Sequence, residues 1–255
     1  MEKITSASNP LVKRLRGLAE AKNRKKERAF PVEGEVMIDE ALKSGLVPLF
    51  GLFEHASPLI ETLLSAGASI KLCDRAAIES ACDTKTPQGC CVAFTLPENG
   101  EVPKDARRLI ALDDVQDPGN LGTILRTADA AGFEGALLGE RCADPYSPKV
   151  QRAAMGSGFR VKTQRVNLPE ALKEQRAHGA KIVISALDGT DLYSHAPFLA
   201  DDRLILVIGN EARGVSDEVK LLADISLKIP MRGRAESLNA AVAAGILMFE
   251  LTNQA

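Results

Sequence analysis

Three polar, glycine-bearing stretches hold the residues of this 255-residue chain whose types could do chemistry. In the first, Asp117-Pro118-Gly119-Asn120 leads into Arg126. In the second, Gly209 directly follows an apolar run and precedes Glu211 and Arg213. In the third, Gly233 precedes Ser237, Leu238 and Asn239. Together they offer a guanidinium, a carboxylate, carboxamides and a hydroxyl, groups that orient polar ligands and move protons. A glycine at a strand end lets the backbone approach a ligand closely. Each has a plain structural alternative when taken singly. Arg126 could pair with Asp129 one helical turn on. Glu211 could pair with Arg213 in an exposed turn, and Ser237 and Asn239 could be helix caps. Their joint placement at three strand ends argues for one site.

Several chemistries lack their signatures. No G-x-G-x-x-G follows a strand and no G-x-x-x-x-G-K-[ST] occurs, so neither a Rossmann dehydrogenase nor a P-loop NTPase is expected. No G-x-S-x-G elbow marks an α/β hydrolase. The five cysteines (Cys73, Cys82, Cys90, Cys91, Cys142) contain no C-x-x-C, and the three histidines (His55, His178, His195) show no metal-ligand spacing. Reduced thiols filling a core, and no metal, are the expectation.

The elements that must position these loops are legible as alternating strand-like and helix-like stretches, some strands, such as LILVI and KIVIS, being apolar throughout. Leu109–Leu112, Gly135–Leu138, Val161–Val166, Lys181–Ala186, Leu204–Ile208 and Ile225–Ile229 read as strands. Leu121–Ala131, Pro148–Met155, Leu168–His178, Asp217–Ala223 and Glu236–Leu251 read as helices. Strands apolar throughout indicate a parallel sheet covered on both faces, whose ligands bind at the carboxyl ends. From Leu238 to Leu251 only Asn239 and Glu250 are polar. A helix apolar all round must be covered on all sides, and it is too short to span a bilayer. Core burial plus a subunit interface is expected.

Ahead of this lies a smaller α/β pattern, with helices over Glu35–Ser44, Pro58–Ala66 and Arg75–Cys82 and strands over Val47–Phe53, Ser69–Cys73 and Cys90–Leu96. The proline- and charge-rich stretch between them reads as a linker. The expected division is 1–96, a linker over 97–106, and 107–255. The net charge of −2 is uneven. Residues 1–28 hold nine Lys/Arg against three acids, a surplus of +6 that leaves −8 for the rest. Asn9 and Pro10 look like the cap and first position of a helix running through Arg28. Lys13, Arg14, Arg16, Arg24, Lys25, Lys26 and Arg28 are then candidates for binding a polyanion, nucleic acid first, or a solvated helix face. Aromatics are only 4% and Trp is absent, so base stacking has few residues to use. The opening MEKITSASNP carries charges and a proline where a signal peptide is apolar, so no membrane partner is expected.

The three stretches resemble, in order and spacing, the motifs of the SpoU-type (TrmH-like) RNA ribose 2′-O-methyltransferases of the SPOUT superfamily. The first matches at Asp117-Pro118-Gly119-Asn120-Leu121-Gly122 with Arg126-Thr127-Ala128. The second matches at Ile208-Gly209-Asn210-Glu211 with Gly214, and the third at Ile229-Pro230-Met231, Gly233 and Ser237-Leu238-Asn239. DPYSPKVQRAAMGS, residues 144–157, also resembles the family. The leading part, with FPVEGEVMIDEALKSG, more weakly resembles the ribosomal-protein-like RNA-binding domain that often precedes this core. The charged Arg232-Gly233-Arg234-Ala235-Glu236 departs locally from the pattern.

The resemblance implies a trefoil-knotted parallel sheet with helices on both faces, a homodimer through the trailing domain, and S-adenosylmethionine as methyl donor without a metal. It implies that Ala186, Ile208, Gly209, Ile229, Met231 and Leu238 hold the donor. It assigns catalysis to Arg126 with Asn120, Glu211, Ser237 and Asn239. Arginine keeps its proton in proteins, so Arg126 is expected to hold the adjoining phosphate and stabilise charge developing on the 2′-oxygen. Glu211 or solvent would take the proton. Ribosomal RNA in the cytoplasm is the expected substrate. The alternatives are a transfer-RNA ribose methyltransferase, a non-catalytic SpoU-like RNA-binding module, and a small-molecule α/β enzyme.

Overall fold

The computed structural model describes residues 3–98, 100–103, 105–194 and 202–253, so His195 and two linker positions, Asn99 and Lys104, lie outside the described residues. The chain divides into two compact units, 1–98 with 146–159, and 99–145 with 160–255.

The leading unit carries a four-stranded sheet in the order β1 (Ala29–Glu33), β4 (Cys90–Thr95), β2 (Pro48–Phe53), β3 (Ser69–Leu72). β1 is absent from the sequence expectation because Pro31 interrupts it. It is an edge strand, where a residue without an N–H is tolerated. The expected single helix through Arg28 is two helices, α1 (Pro10–Gly17) and α2 (Ala21–Glu27). Asn9 caps α1 by accepting from Leu11 N–H, with Pro10 in the first turn. The break at Leu18–Glu20 turns the chain so that Val12, Leu15 and Leu18 pack in one core with Cys73, Ile78 and Cys91. Helices α3 (Glu35–Lys43), α4 (Pro58–Ser65) and α5 (Arg75–Ala81) follow the expected spans closely.

Tyr146–Phe159, with α7 (Pro148–Ala154) and most of α8 (Ser157–Arg160), is far from this unit in sequence but packs in it. Tyr146 and Phe159 set their rings 5.0 and 6.2 Å from that of Phe30. Fourteen residues inside the expected trailing span of 107–255 thus pack with the leading unit. Val102 and Ala106, inside the expected linker, are buried in the trailing core.

The trailing unit is a six-stranded, all-parallel sheet in the order β10 (Ile225–Lys228), β8 (Ala180–Asp191), β9 (Arg203–Ile208), β5 (Arg108–Leu112), β6 (Gly135–Gly139), β7 (Lys162–Val166). One face packs Leu109, Ala111, Ile182, Ile205 and Val207 under α9 (Leu168–Ala177) and Val219 of α10 (Asp217–Lys220). On the other, α6 (Pro118–Ala130) and α11 (Ala240–Asn253) pack on each other, and α11 lies on β8 and β9. Pro118 and Gly119 form the first turn of α6, with Asp117 accepting from Asn120 N–H at 2.8 Å. α11 begins at Ala240, not at Glu236 as expected, because Asn239 is its cap.

β8 runs longer than its apolar core predicts, and its pairing with β10 jumps. Ser226 lies opposite Ile184, but Leu227 lies opposite Thr190, so residues 185–189 arch out of register. Gly189 returns the chain where a Cβ would sit 2.5 Å from the Ser226 carbonyl oxygen. No helix among the described residues is long and apolar enough to cross a membrane.

Candidate active site

A cavity of about 420 Å³ opens where β8, β9 and β10 end. Its wall is built from the β8 arch, the loop after β9 and the segment after β10. Ala186, Ile208, Gly209, Ile229, Met231 and Leu238, the six expected donor residues, all line it, as do Glu211 and Ser237. Ser185, Leu187 and Asp188 line it as well, unforeseen because nothing in the apolar run signals the arch.

Gly209 is needed for a different reason than expected. A Cβ there would lie 2.2 Å from Gly214 C and Val215 N, so the absent side chain makes room for its own loop. That loop closes with Asn210 and Gly214 exchanging backbone hydrogen bonds of 3.0 and 2.8 Å, Gly214 at φ 68°. Asn210 Oδ1 accepts from Ala212 and Arg213 N–H, while its Nδ2 donates to Asp114 O at 2.9 Å.

Asp114 anchors this loop and was not foreseen as a site residue. Its carboxylate is buried and receives Arg213 at 2.5 Å, Arg141 at 3.2 Å and Gln116 at 2.9 Å. Its backbone lies at φ 66°, left-handed for a residue that is not glycine, a conformation Asp tolerates better than most. The only sequence signal is its place ahead of the first motif. Arg213 therefore pairs with Asp114, leaving the expected Glu211–Arg213 alternative untaken.

The three motifs meet at one side chain. Asn120 Nδ2 donates to Glu211 Oε1 at 2.8 Å, and Asn239 Nδ2 donates to Asn120 Oδ1 at 2.9 Å. Asn239 also caps α11, its Oδ1 accepting from Ala241 and Val242 N–H. Both readings of Asn239, cap and site residue, hold at once. The bonds also fix the orientation of both carboxamides, since each oxygen already accepts.

Arg126 stands apart. It is exposed on α6, does not line the cavity, and its guanidinium makes no hydrogen bond or ion pair among the described residues. Its expected alternative partner, Asp129, is taken by Arg160 at 2.7 Å. Ser237 is exposed on the segment after β10.

The seven basic candidates of the leading unit separate into unlike environments. Arg24 is 2% exposed, and its guanidinium donates to the Leu18 and Ala19 carbonyls, closing the turn between α1 and α2. It is a structural cap, which corrects the expectation that it binds RNA. Arg14 lies 4.0 Å over the Phe50 ring and pairs with Glu27. Arg16 donates to Ser80 and Arg28 to Glu98. Lys13, Lys25 and Lys26 remain exposed. The cysteines carry free thiols. Burial pushes Cys73 up to about 11 and Cys90 up to about 12, far from a reactive thiolate.

A parallel α/β unit with a small-ligand cavity at its strand ends, closed by loops that carry Asn, Glu and Ser, is the frame of a ligand-binding enzyme site. The SpoU rRNA Methylase family profile matches residues 107–249, and that of the MRM3-like substrate binding domain matches residues 9–92. The chain is 38% identical over 98% of its length to the 23S rRNA (guanosine(2553)-2'-O)-methyltransferase RlmP of Bacillus subtilis (strain 168), covering 99% of that protein. The crystal structure of an AdoMet-bound rRNA methyltransferase from Sinorhizobium meliloti superposes with TM-score 0.89 at 33% identity, covering 99% of this chain and 97% of that one. The SpoU methyltransferase AviRb from Streptomyces viridochromogenes, in complex with AdoMet, superposes with TM-score 0.83 at 26% identity, covering 96% and 98%. The chain belongs to the SpoU rRNA methylase family, and so to the S-adenosylmethionine-dependent RNA methyltransferases.

Proposed function

We propose that this protein methylates a ribose 2′-OH in large-subunit ribosomal RNA, as a homodimer in the cytoplasm. The observation that carries the reading is Asn120, which joins Glu211 and Asn239 beside the cavity and so ties three motifs into one site. Likeness to a 23S rRNA enzyme over nearly the whole chain, leading unit included, supports ribosomal over transfer RNA.

The cavity fits S-adenosylmethionine on its own terms. About 420 Å³ lies within the usual range for small-ligand sites. Ile208, Ile229 and Leu238 offer an apolar wall for a purine, and the loop backbones offer hydrogen bonds. Asp188, Glu211 and Glu236 supply negative charge to a cationic ligand. That donor supplies an activated methyl group. The protein's part is to place the hydroxyl and manage its proton. Glu211, exposed and held by Asn120, is the proton acceptor. Arg126, unengaged by the described side chains around it, holds the phosphate beside the reacting ribose and stabilises charge on the 2′-oxygen. Ser237 and Asn239 position the ribose and the loops, and positioning supplies much of the acceleration.

Dimer formation is supported by α11. Its own fold buries Ala241, Ala244, Leu247, Met248 and Leu251, but Val242 and Phe249 stay 51% and 44% exposed, with Ile246 half-buried between them. This apolar stripe needs a cover. The trefoil knot of the family is supported by β8 lying between β9 and β10 while the segments after β9 and β10 converge on one cavity.

The test is transfer of labelled methyl from S-adenosylmethionine to 23S rRNA, 16S rRNA and transfer RNA, followed by mapping of the modified ribose. Label in 23S rRNA at a 2′-oxygen is expected. Label in transfer RNA alone would overturn the substrate, and donor binding without label in any RNA would leave a binding module.

A further inference from the structure

The leading unit holds a second cavity, of about 320 Å³, between β1, the 82–88 segment and α7. Its lining is mixed. Pro31, Met37 and Met155 give apolar lining, and Glu33 lines the same cavity. Glu33 Oε1 accepts from the Thr84 hydroxyl at 2.8 Å and from Gln88 N–H at 3.0 Å. Among the described residues, Oε2 receives only a longer branch from the same hydroxyl, at 3.1 Å. A carboxylate has about four acceptor positions, so Oε2 has capacity to spare. Every donor to Glu33 is neutral, and it makes no ion pair among the described residues. The basic side chains of the same wall are committed elsewhere, Arg16 to Ser80 and Arg152 to Asp83. The carboxylate is thus fixed, half-buried and ready to accept from a ligand.

We infer that this cavity takes one unstacked guanine of the RNA substrate, read by Glu33 at its Watson–Crick edge. RNA sequence is read mainly on bases splayed out of the stack, held between apolar faces and hydrogen-bonded at that edge. A carboxylate only accepts, and with Oε1 taken by Thr84 and Gln88 it is Oε2 that receives the base, so the site selects a base with two adjacent donors that converge on one oxygen. Guanine alone presents them, N1–H beside the 2-amino group. Adenine and cytosine offer an amino group beside an acceptor, and uracil offers one N–H between two carbonyls. Methionine walls adapt to a planar ring without an aromatic platform, which suits a chain with few aromatics. The cavity is small for a larger ligand and adequate for a base. The inference rests on reading the leading unit as the part that holds RNA, and it concerns a guide base, not the ribose that is methylated.

The experiment titrates the full-length protein, methyl-labelled at methionine, with GMP, IMP, AMP, CMP and UMP, reading the Met37 and Met155 signals. GMP is expected to shift both. IMP, which lacks the 2-amino group, should bind about tenfold more weakly, on the scale of one bidentate base contact. Glu33→Gln keeps an oxygen for Thr84 and Gln88 but turns the second acceptor into a donor. It should melt as the wild type does, lose the GMP preference, and raise KM for rRNA with kcat and donor affinity unchanged. Equal shifts with all five nucleotides, no shift with GMP, or an unaltered preference in Glu33→Gln would overturn the inference. Because wild-type methyl transfer is measured separately, transfer without GMP selectivity sinks this pocket alone, and GMP selectivity without transfer sinks the proposed activity alone.

Discussion

The two compact units treat sequence neighbourhood in opposite ways. In the trailing unit, side chains far apart in the chain are brought together: Asn120 with Glu211 across 91 positions, Arg213 with Asp114 across 99, Asn239 with Asn120 across 119. In the leading unit, basic residues adjacent in the chain are scattered. Arg24 is buried as a cap while its neighbours Lys25 and Lys26 face solvent. A parallel sheet gathers the loops at one set of strand ends, so order along the chain becomes proximity in space. A short helix has no such power. It spreads consecutive residues around its axis, and the core claims whichever face it needs.

Breaking the trailing site should have the largest effect. Arg126→Ala is expected to lower kcat by about 100- to 1000-fold, the scale of losing one group that stabilises developing charge. Arg126 is exposed and off the cavity wall, so melting temperature and donor affinity should not move. Turnover near wild type would remove it from the mechanism. The α11 stripe comes next. Phe249→Glu should weaken the dimer by about thirtyfold or more, the loss expected of a buried aromatic anchor, read by light scattering across a dilution series. Leu247→Glu is a different experiment. Leu247 is buried in its own fold, so that variant should unfold instead. A wild-type monomer at micromolar concentration would contradict the dimer outright.

Asn120→Ala tests whether the joined loops act as one. It removes two side-chain hydrogen bonds of 2.8 and 2.9 Å, about 2 kcal/mol together, or roughly thirtyfold in kcat/KM if both serve the reacting geometry. A double variant with Glu211→Ala should lose less than the sum of the singles, because both changes remove the same bond. Strict additivity would show that this hydrogen bond does nothing for turnover.

What was legible in the sequence divides along the same line. The central trailing strands and the parallel sheet follow from short apolar runs such as Lys181–Ala186 and Leu204–Ile208, while the edge strands β7 and β10 are more polar and were legible mainly from their place between helices. The donor wall was legible through motif order, since Gly209 and Ile229 directly follow strands that could be seen and Leu238 lies just ahead of the closing helix. The β8 arch was not, because Ser185–Gly189 is defined by its pairing with β10 and not by its own composition. Asp114 was hidden because its role depends on Arg213 and Asn210. In the leading unit, β1 was masked by Pro31, tolerable only at an edge that sequence does not announce. The packing of Tyr146 and Phe159 on Phe30 was hidden because more than a hundred residues separate them.

The smallest expected effect concerns the basic segment, where the comparison is sharpest. Deleting residues 1–96 would be a poor test, since it strips Tyr146–Phe159 of the core it packs in. Substitutions in the full chain avoid this. Lys13, Lys25 and Lys26 are exposed, and Lys→Glu at all three should leave the fold and donor binding intact. On single-stranded RNA, each phosphate that is no longer neutralised takes about 0.7 from the slope of log K against log salt, so three of them flatten it by about 2. Affinity should fall alike for matched and scrambled RNA, because phosphate contacts position without specifying. Arg24→Gln is the internal contrast. Its guanidinium closes the α1–α2 turn through the Leu18 and Ala19 carbonyls, so it should lower the melting temperature and leave the salt slope of the folded protein where it was. If Arg24→Gln flattens the slope and the lysine variant does not, charge in this segment acts through the fold and not on RNA, and the exposed lysines return to being a solvated helix face.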